Sequence, residues 1–146
     1  MIVHHSKPVT LIGGGQLAKT DLKRAYAIGE HVVAADGGAD AAHHAGLTPS
    51  AVIGDFDSLS DATRTALASD TLHHIPEQDS TDFDKCLRNI SAPLILGVGF
   101  TGQRIDHHLA NLNTLVRYPD RRCILLGSAD IAFLVPPSLA LDLDPG

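Results

Sequence analysis

The chain is short of basic residues, cysteines and long apolar runs, and each shortage removes a class of function. Eleven Lys and Arg against 17 Asp and Glu leave a formal charge of −6. A nucleic-acid footprint needs a basic patch, so no nucleic-acid partner is expected. No stretch of about 18 apolar residues occurs, and nothing reads as a membrane span. The opening residues MIVHHSKP lack the apolar core of a signal peptide. The two cysteines, Cys86 and Cys123, lie inside apolar patterns without metal-ligand spacing and read as buried free thiols. There is no repeat and no low-complexity stretch. These absences fit a cytoplasmic protein. What is present, 146 residues with 44% apolar and 19% charged, is enough for one globular domain with a single core.

Apolar and β-branched runs recur at Val9–Ile12, Val32–Ala35, Ala51–Ile53, Leu72–Ile75, Leu94–Val98 and Cys123–Leu126. Segments of helical periodicity lie between most of them. Leu17 to Ile28 reads as one helix, and Asp61 to Ala68 as another with Ser60 as its cap. Phe83, Leu87 and Ile90 mark a third, opened by Ser80 or Thr81. Ile105, Leu109, Leu112 and Val116 form one apolar stripe on a fourth. Apolar strands alternating with helices predict a doubly wound α/β domain, with a mostly parallel sheet covered by helices on both faces. Near the end, Ile131–Val135 is strand-like, Leu139–Leu143 alternates, and Asp144-Pro145-Gly146 is a turn signal. Residues 1–126 are therefore expected to form the α/β domain, and 127–146 to begin a further all-β region.

In such sheets ligands bind beyond the carboxyl ends of the strands. The residues that follow the runs are Gly13-Gly14-Gly15, Asp36-Gly37-Gly38, Gly54-Asp55-Phe56-Asp57-Ser58, Glu77 to Asp82, and Gly97 to Asp106. Glycines, carboxylates and one arginine thus converge on one edge. Gly13 to Ala18 also matches the dinucleotide fingerprint G-x-G-x-x-A, with Asp36 about 20 residues on. Small residues let backbone N–H groups approach phosphate at a helix N-terminus, although a tight turn without ligand has the same composition. Against a dinucleotide stand the downstream acids, which would repel a pyrophosphate unless a cation intervened.

Asp55 and Asp57 are two apart, so on an extended loop both carboxylates point the same way. Such a pair, with phosphates and waters, suits magnesium, and Phe56 would face the core. The bland alternative is that Asp57 and Ser58 cap the next helix. Asp79 precedes a helix on which Asp82 and Lys85 share an exposed face opposite Phe83 and Leu87; the helix dipole alone would also explain an acid there. Gln78, Asp79, Thr81, Asp82 and Lys85 supply metal ligands, phosphate donors and a cation, the requirements of phosphoryl transfer. Arg104 could fork onto a phosphate, and Asp106 could orient a hydroxyl or complete a metal shell. Equally, the two could be an exposed pair at a helix end.

Ala35 to Ala39, Gly54 to Ser58, Gln78 to Lys85 and Gly102 to His107 resemble, in order, the signature segments of thiamine pyrophosphokinases. The resemblance covers about Val9 to Leu126. It implies a catalytic α/β domain that binds ATP and magnesium, followed by a β-sandwich domain that helps to bind thiamine. It also implies a homodimer with active sites between subunits. The reaction would move pyrophosphate from ATP to the hydroxyl of thiamine and release AMP. By position, Asp55, Asp57 and Asp82 would hold magnesium, and Asp79, Arg104 and Asp106 would be further active-site residues. Asp36, Gln78, Thr81 and Lys85 would line the pocket, with Gly14 and Gly37 close to the nucleotide. Gln103 stands where many relatives carry glycine.

The nine histidines, four adjacent pairs among them (His4-His5, His43-His44, His73-His74 and His107-His108), do not have chelating spacing. His107, beside Asp106, is the one to watch. Two other functions stay open at this point: a pyrophosphokinase for another alcohol such as a pterin, and a non-enzymatic nucleotide- or dinucleotide-binding module.

Overall fold

The computed structural model describes residues 1–102 and 104–140. The expectations for Gln103 and for the turn that closes the chain lie outside them. In chain order the elements are β1 (Val3–His4), β2 (Val9–Ile12), α1 (Lys19–Ile28), β3 (His31–Ala35), α2 (Gly38–His44), β4 (Ala51–Gly54) and α3 (Asp61–Ala66). There follow β5 (Leu72–His74), α4 (Asp82–Asn89), β6 (Ile90–Ser91), β7 (Ile95–Val98), α5 (Ile105–Arg117), β8 (Cys123–Leu126) and β9 (Ile131–Phe133).

Seven strands form one sheet in the order β5-β4-β3-β2-β7-β8-β9, while β1 and β6 pair separately. Every pairing from β5 to β8 is parallel, and β9 runs antiparallel on β8. The sheet is therefore mixed, with its antiparallel pairing at one edge. Ile131–Phe133, expected to open a separate all-β region, extends this sheet instead.

The strands β2, β4 and β7 are buried at every position, because helices cover both faces. On one face Val9, Leu11, Val33, Ile53 and Ile95 pack against Phe83, Cys86 and Leu87 of α4 and Leu115 of α5. On the other, Ile12, Val32, Leu96 and Val98 meet Leu22 and Ala25 of α1 and Ala42 of α2. Cys86 and Cys123 are buried free thiols. Burial in apolar surroundings raises both, Cys123 to about 12.

The helix caps follow local chemistry. Thr81 opens α4 by accepting from the Asp84 N–H at 3.2 Å, and Ser60 caps α3 through the Thr63 N–H. Helix α2 was not expected. Its seven residues, GADAAHH, carry no amphipathic period, and two glycines stand at its start. It forms because Gly38 lets the helix seat against β2, where a Cβ would lie 2.0 Å from the Ile12 carbonyl.

The apolar stripe on α5 needs correcting. Ile105, Leu109 and Val116 are 74%, 59% and 62% exposed, while Asn111, Thr114 and Leu115 face inward. The periodicity of the stripe is real, but the sheet is met by the neighbouring face, so of the four only Leu112 packs against the core.

The chain steps outward from β2 through β3 and β4 to β5, then returns through α4 to β7 on the far side of β2. At this switch the loops leaving β2 and β7 diverge and open a crevice at the carboxyl ends of the strands.

Candidate functional site

The crevice is a cleft of about 930 Å³, within the usual range for small-molecule sites. Five strand ends contribute to it: Gly14 and Gly15 after β2, Asp36 and Gly37 after β3, Asp55 and Ser58 after β4, Gln78 to Asp82 after β5, and Gly99 to Gly102 with Arg104 after β7. The predicted site residues Gly14, Asp36, Gly37, Asp55, Gln78, Asp79, Thr81, Asp82, Lys85 and Arg104 all line it. Asp57 and Asp106 do not line it.

At the cleft floor one carboxylate oxygen from each of Asp36, Asp55 and Asp82 lies within 4.8 Å of the others. Asp36 has φ +43 and is 3% exposed. Its Oδ2 accepts the Ser58 N–H at 3.1 Å, whereas its buried Oδ1 has no hydrogen-bond partner. Burial pushes the Asp36 carboxyl above its ordinary value. The Ser58 N–H opposes this, and the negative charges of Asp82 and Asp55 add to it. Burial likewise raises Asp82, against the pull of Lys85. Asp55 is lowered, chiefly by its hydrogen bond from Lys85. An orphaned, buried carboxylate oxygen among like charges has the chemistry of a cation site. Magnesium, which takes carboxylate oxygens alongside water and phosphate, fits this donor set.

Asp57 lies outside this group. Phe56 adopts φ +68, so the loop is not extended and the two carboxylates do not project together. The Asp57 N–H instead donates to Asp55 Oδ1 at 3.3 Å. The Phe56 ring packs against the core beside Ala34, Val52 and Leu59, as its spacing suggested, with His74 5.4 Å away.

Lys85 was expected on an exposed face and is 1% exposed. Its ammonium donates to Asp55 at 2.8 Å and to Asp82 at 3.2 Å. Burial acts to lower this lysine, but the two carboxylates outweigh it and raise it. Turned inward, Lys85 is the counter-charge to Asp55 and Asp82. Gln78 adds a bond to Asp55 at 3.2 Å. Thr81 serves both as the α4 cap and as cleft wall, and Asp79 stands exposed at the rim.

At the other rim, Arg104 grips Asp106 through two bonds, of 2.5 and 3.2 Å. The guanidinium holds the Asp106 carboxyl down at about 2. The two side chains thus hold each other at the rim. His107 also lines the cleft. Asn111, which the sequence reading passed over, is another wall residue, 6% exposed, and its amide donates to the Phe100 carbonyl at 2.8 Å. The available signal was a polar residue four positions after His107 on the same helix face.

The dinucleotide fingerprint does not have its expected shape. Six residues, Gly13 to Ala18, separate β2 from α1, whose cap is Ala18. The Gly13 and Gly15 N–H groups donate to Val98 and Gly99 carbonyls at 2.8 and 3.0 Å. Asp36, in the ribose-acid position, is engaged with Ser58 and the other acids.

Residues 22–126 match the family described as thiamin pyrophosphokinase, catalytic domain. Thiamine pyrophosphokinase 1 of Arabidopsis thaliana is 35% identical over 100 residues, which are 60% of this chain and 38% of that protein. Thiamine pyrophosphokinase 3 of Oryza sativa subsp. japonica is 30% identical over the same shares. The thiamin pyrophosphokinase structure from Geobacillus thermodenitrificans superimposes with a TM-score of 0.63 at 29% identity, over 82% of this chain and 59% of that one. The thiamine pyrophosphokinase from Bacillus subtilis gives 0.64 at 29%, over 82% and 60%. The chain thus spans well under half the length of the plant relatives.

Proposed function

The chain belongs to the thiamin pyrophosphokinase catalytic-domain family, and from that premise we propose that it transfers a pyrophosphoryl group from ATP to the hydroxyl of thiamine, giving thiamine diphosphate and AMP. The observation that carries the reading is the Asp36–Asp55–Asp82 group with its orphaned Asp36 oxygen beside a buried lysine.

In this proposal Asp36, Asp55 and Asp82 hold magnesium, which supplies charge neutralisation to the β- and γ-phosphates when bound. Asp57 acts through its backbone N–H, which keeps the Asp55 carboxylate oriented. Lys85 holds Asp55 and Asp82 in place and offsets charge on the transferred group. Arg104, fixed by Asp106, clamps a phosphate at the open rim. Gln78, Asp79 and Thr81 line the path of the acceptor, and Gly14 and Gly37 let the backbone approach the nucleotide. The acceptor oxygen forms its bond to the β-phosphorus as the bond from that phosphorus to the AMP oxygen breaks, and AMP leaves with the electron pair. The hydroxyl proton passes to solvent through the open cleft.

The same proposal includes a catalytic unit over 1–126 that β9 extends at the sheet edge, a cytoplasmic setting in keeping with two free thiols, and a homodimer with its sites at the subunit interface. The exposed Ile105, Leu109 and Val116 beside the cleft support the last point.

Calorimetry with ATP tests the metal site: binding should depend strongly on magnesium. Asp55→Asn and Asp82→Asn should each cut turnover by orders of magnitude while circular dichroism stays native. Near-normal turnover in both variants would overturn the assignment.

A further inference from the structure

Two carboxylates beside one helix grip the loop that carries Asp55. Asp36 stands just before α2, and Asp40 lies in its first turn. Asp36 Oδ2 accepts the Ser58 N–H at 3.1 Å, and Asp40 Oδ2 accepts the Ser60 N–H at 3.1 Å. The start of α2 and the segment from Ser58 to Ser60 are therefore tied at two rungs. Between the rungs Leu59 is buried and packs with Ala34, Ala39 and Val52, which seats the segment on the core.

Asp40 takes more than the backbone donor. Its Oδ1 accepts the Ser60 hydroxyl at 2.5 Å and also the Thr63 hydroxyl, and Ser60 is in turn the cap of α3. One carboxylate thus gathers donors from the end of the loop and from the first turn of α3. Hydrogen bonds to a charged acceptor are shorter and stronger than those between neutral groups. Asp40 does not line the cleft, so any effect it has on the site passes through its neighbours.

The loop has little room to shift. A Cβ on Gly37 would lie 3.1 Å from the Ser58 Cβ, and one on Gly54 would lie 2.8 Å from the Asp36 Cβ. The Ser58 N–H occupies one Asp36 oxygen and leaves the buried Oδ1 without a protein donor. If Ser58 withdrew, Asp36 would lose the bond that orients it, and Asp55 would move with the same loop.

We propose that Asp40 is a positioning residue for the cation site: by holding Ser60 and α3 it keeps Ser58 on Asp36, and so keeps Asp36 and Asp55 at the spacing a divalent cation needs. The inference rests on the reading of Asp36, Asp55 and Asp82 as the magnesium site. Groups that orient metal ligands without touching the metal commonly set its affinity.

Two measurements on the full chain test this, with melting curves to check that each variant folds. Asp40→Asn keeps the volume but turns one acceptor into a donor that faces other donors. In magnesium-free buffer, amide exchange followed by NMR should speed up about tenfold at both Ser58 and Ser60, although only Ser60 bonds to Asp40. Calorimetry with ATP at stepped magnesium concentrations should show the half-maximal magnesium requirement rising about tenfold, with ATP binding recovered at saturating metal. Ser60→Ala removes one of the three bonds and should move both readings the same way by less, so it carries the test if Asp40→Asn does not fold. Asp84→Asn loses stability elsewhere and should move neither. Unchanged Ser58 exchange, or an unchanged magnesium requirement, in the folded variants overturns the positioning role alone. An equal rise in Asp84→Asn assigns the effect to lost stability and overturns it too. A wild-type chain whose ATP binding is indifferent to magnesium overturns the cation-site reading, and the inference with it.

Discussion

Asp36 occupies a backbone region that few non-glycine residues adopt, and it is held there by the Ser58 N–H and by Gly54, where a Cβ would meet the Asp36 Cβ at 2.8 Å. Strain of this kind, together with a buried oxygen lacking a partner, persists where function uses it. Its raised carboxyl has a consequence for stability. A buried acid that prefers its proton favours the fold at low pH, and that contribution is lost as pH rises from the ordinary carboxyl range through the raised value. Asp36→Asn mimics the protonated form. In magnesium-free buffer at neutral pH it should melt higher than the wild type, by about 2–4 °C per kcal/mol gained. It should also lose the upward shift in melting temperature that magnesium with ATP gives the wild type. A lower melting point without metal, or an unchanged magnesium response, would count against the site. Spacing placed Asp36 in the cleft and grouped Asp57 with Asp55 and Asp82, because alternation on an extended loop aligns residues two apart, whereas in the structure it is Asp36 that lies with Asp55 and Asp82. The positive φ of Phe56 cancels that alternation, and no local pattern announced it.

Among the elements, α4 and α5 are joined through Asp84 rather than through apolar contact alone. This carboxylate is 3% exposed, accepts from Arg117 at 3.0 Å and Tyr118 at 3.1 Å, and lies 3.6 Å from Arg88. The bonds fix the helix that carries Asp82 and Lys85 against the helix that carries His107 and Asn111. Asp84→Asn should cost about 2–4 kcal/mol, since it weakens a buried acceptor and strips its partners of a counter-charge; urea unfolding measures this. The folded fraction should keep its magnesium-dependent ATP binding, because Asp84 is not in the cleft lining. The helices were legible where a cap or an apolar period marked them: Ser60 for α3, Thr81 with Phe83 and Leu87 for α4, and for α5 a period that gave the helix but not its buried face. Helix α2 was not, because its alanines carry no period and only the close approach to β2 stabilises it.

At the scale of the molecule, the groove along the sheet edge and the apolar surface of α5 lie side by side. Ile105, Leu109 and Val116 leave an apolar stripe that a lone subunit gains nothing by exposing. Association through this face would bring a second subunit to the rim formed by Arg104 and His107. Leu109→Glu should shift the chain to a lower mass in analytical ultracentrifugation and make its unfolding independent of protein concentration, with the subunit still folded because the side chain is exposed on it. An unchanged mass would assign the stripe another role.

The sequence by itself determined the alternation of buried strands and helices, and with it the gathering of glycines and acids at one sheet edge. Those features follow from short-range periodicity and turn chemistry, which each segment carries alone. Only the tertiary structure decided which acids meet, that Lys85 turns inward, and which face of α5 reaches the sheet. Asp36 meets Ser58 across 22 positions and Lys85 meets Asp55 across 30. At such separations the outcome depends on how buried charges are matched and on single backbone angles at Asp36 and Phe56, which spacing along the chain does not encode.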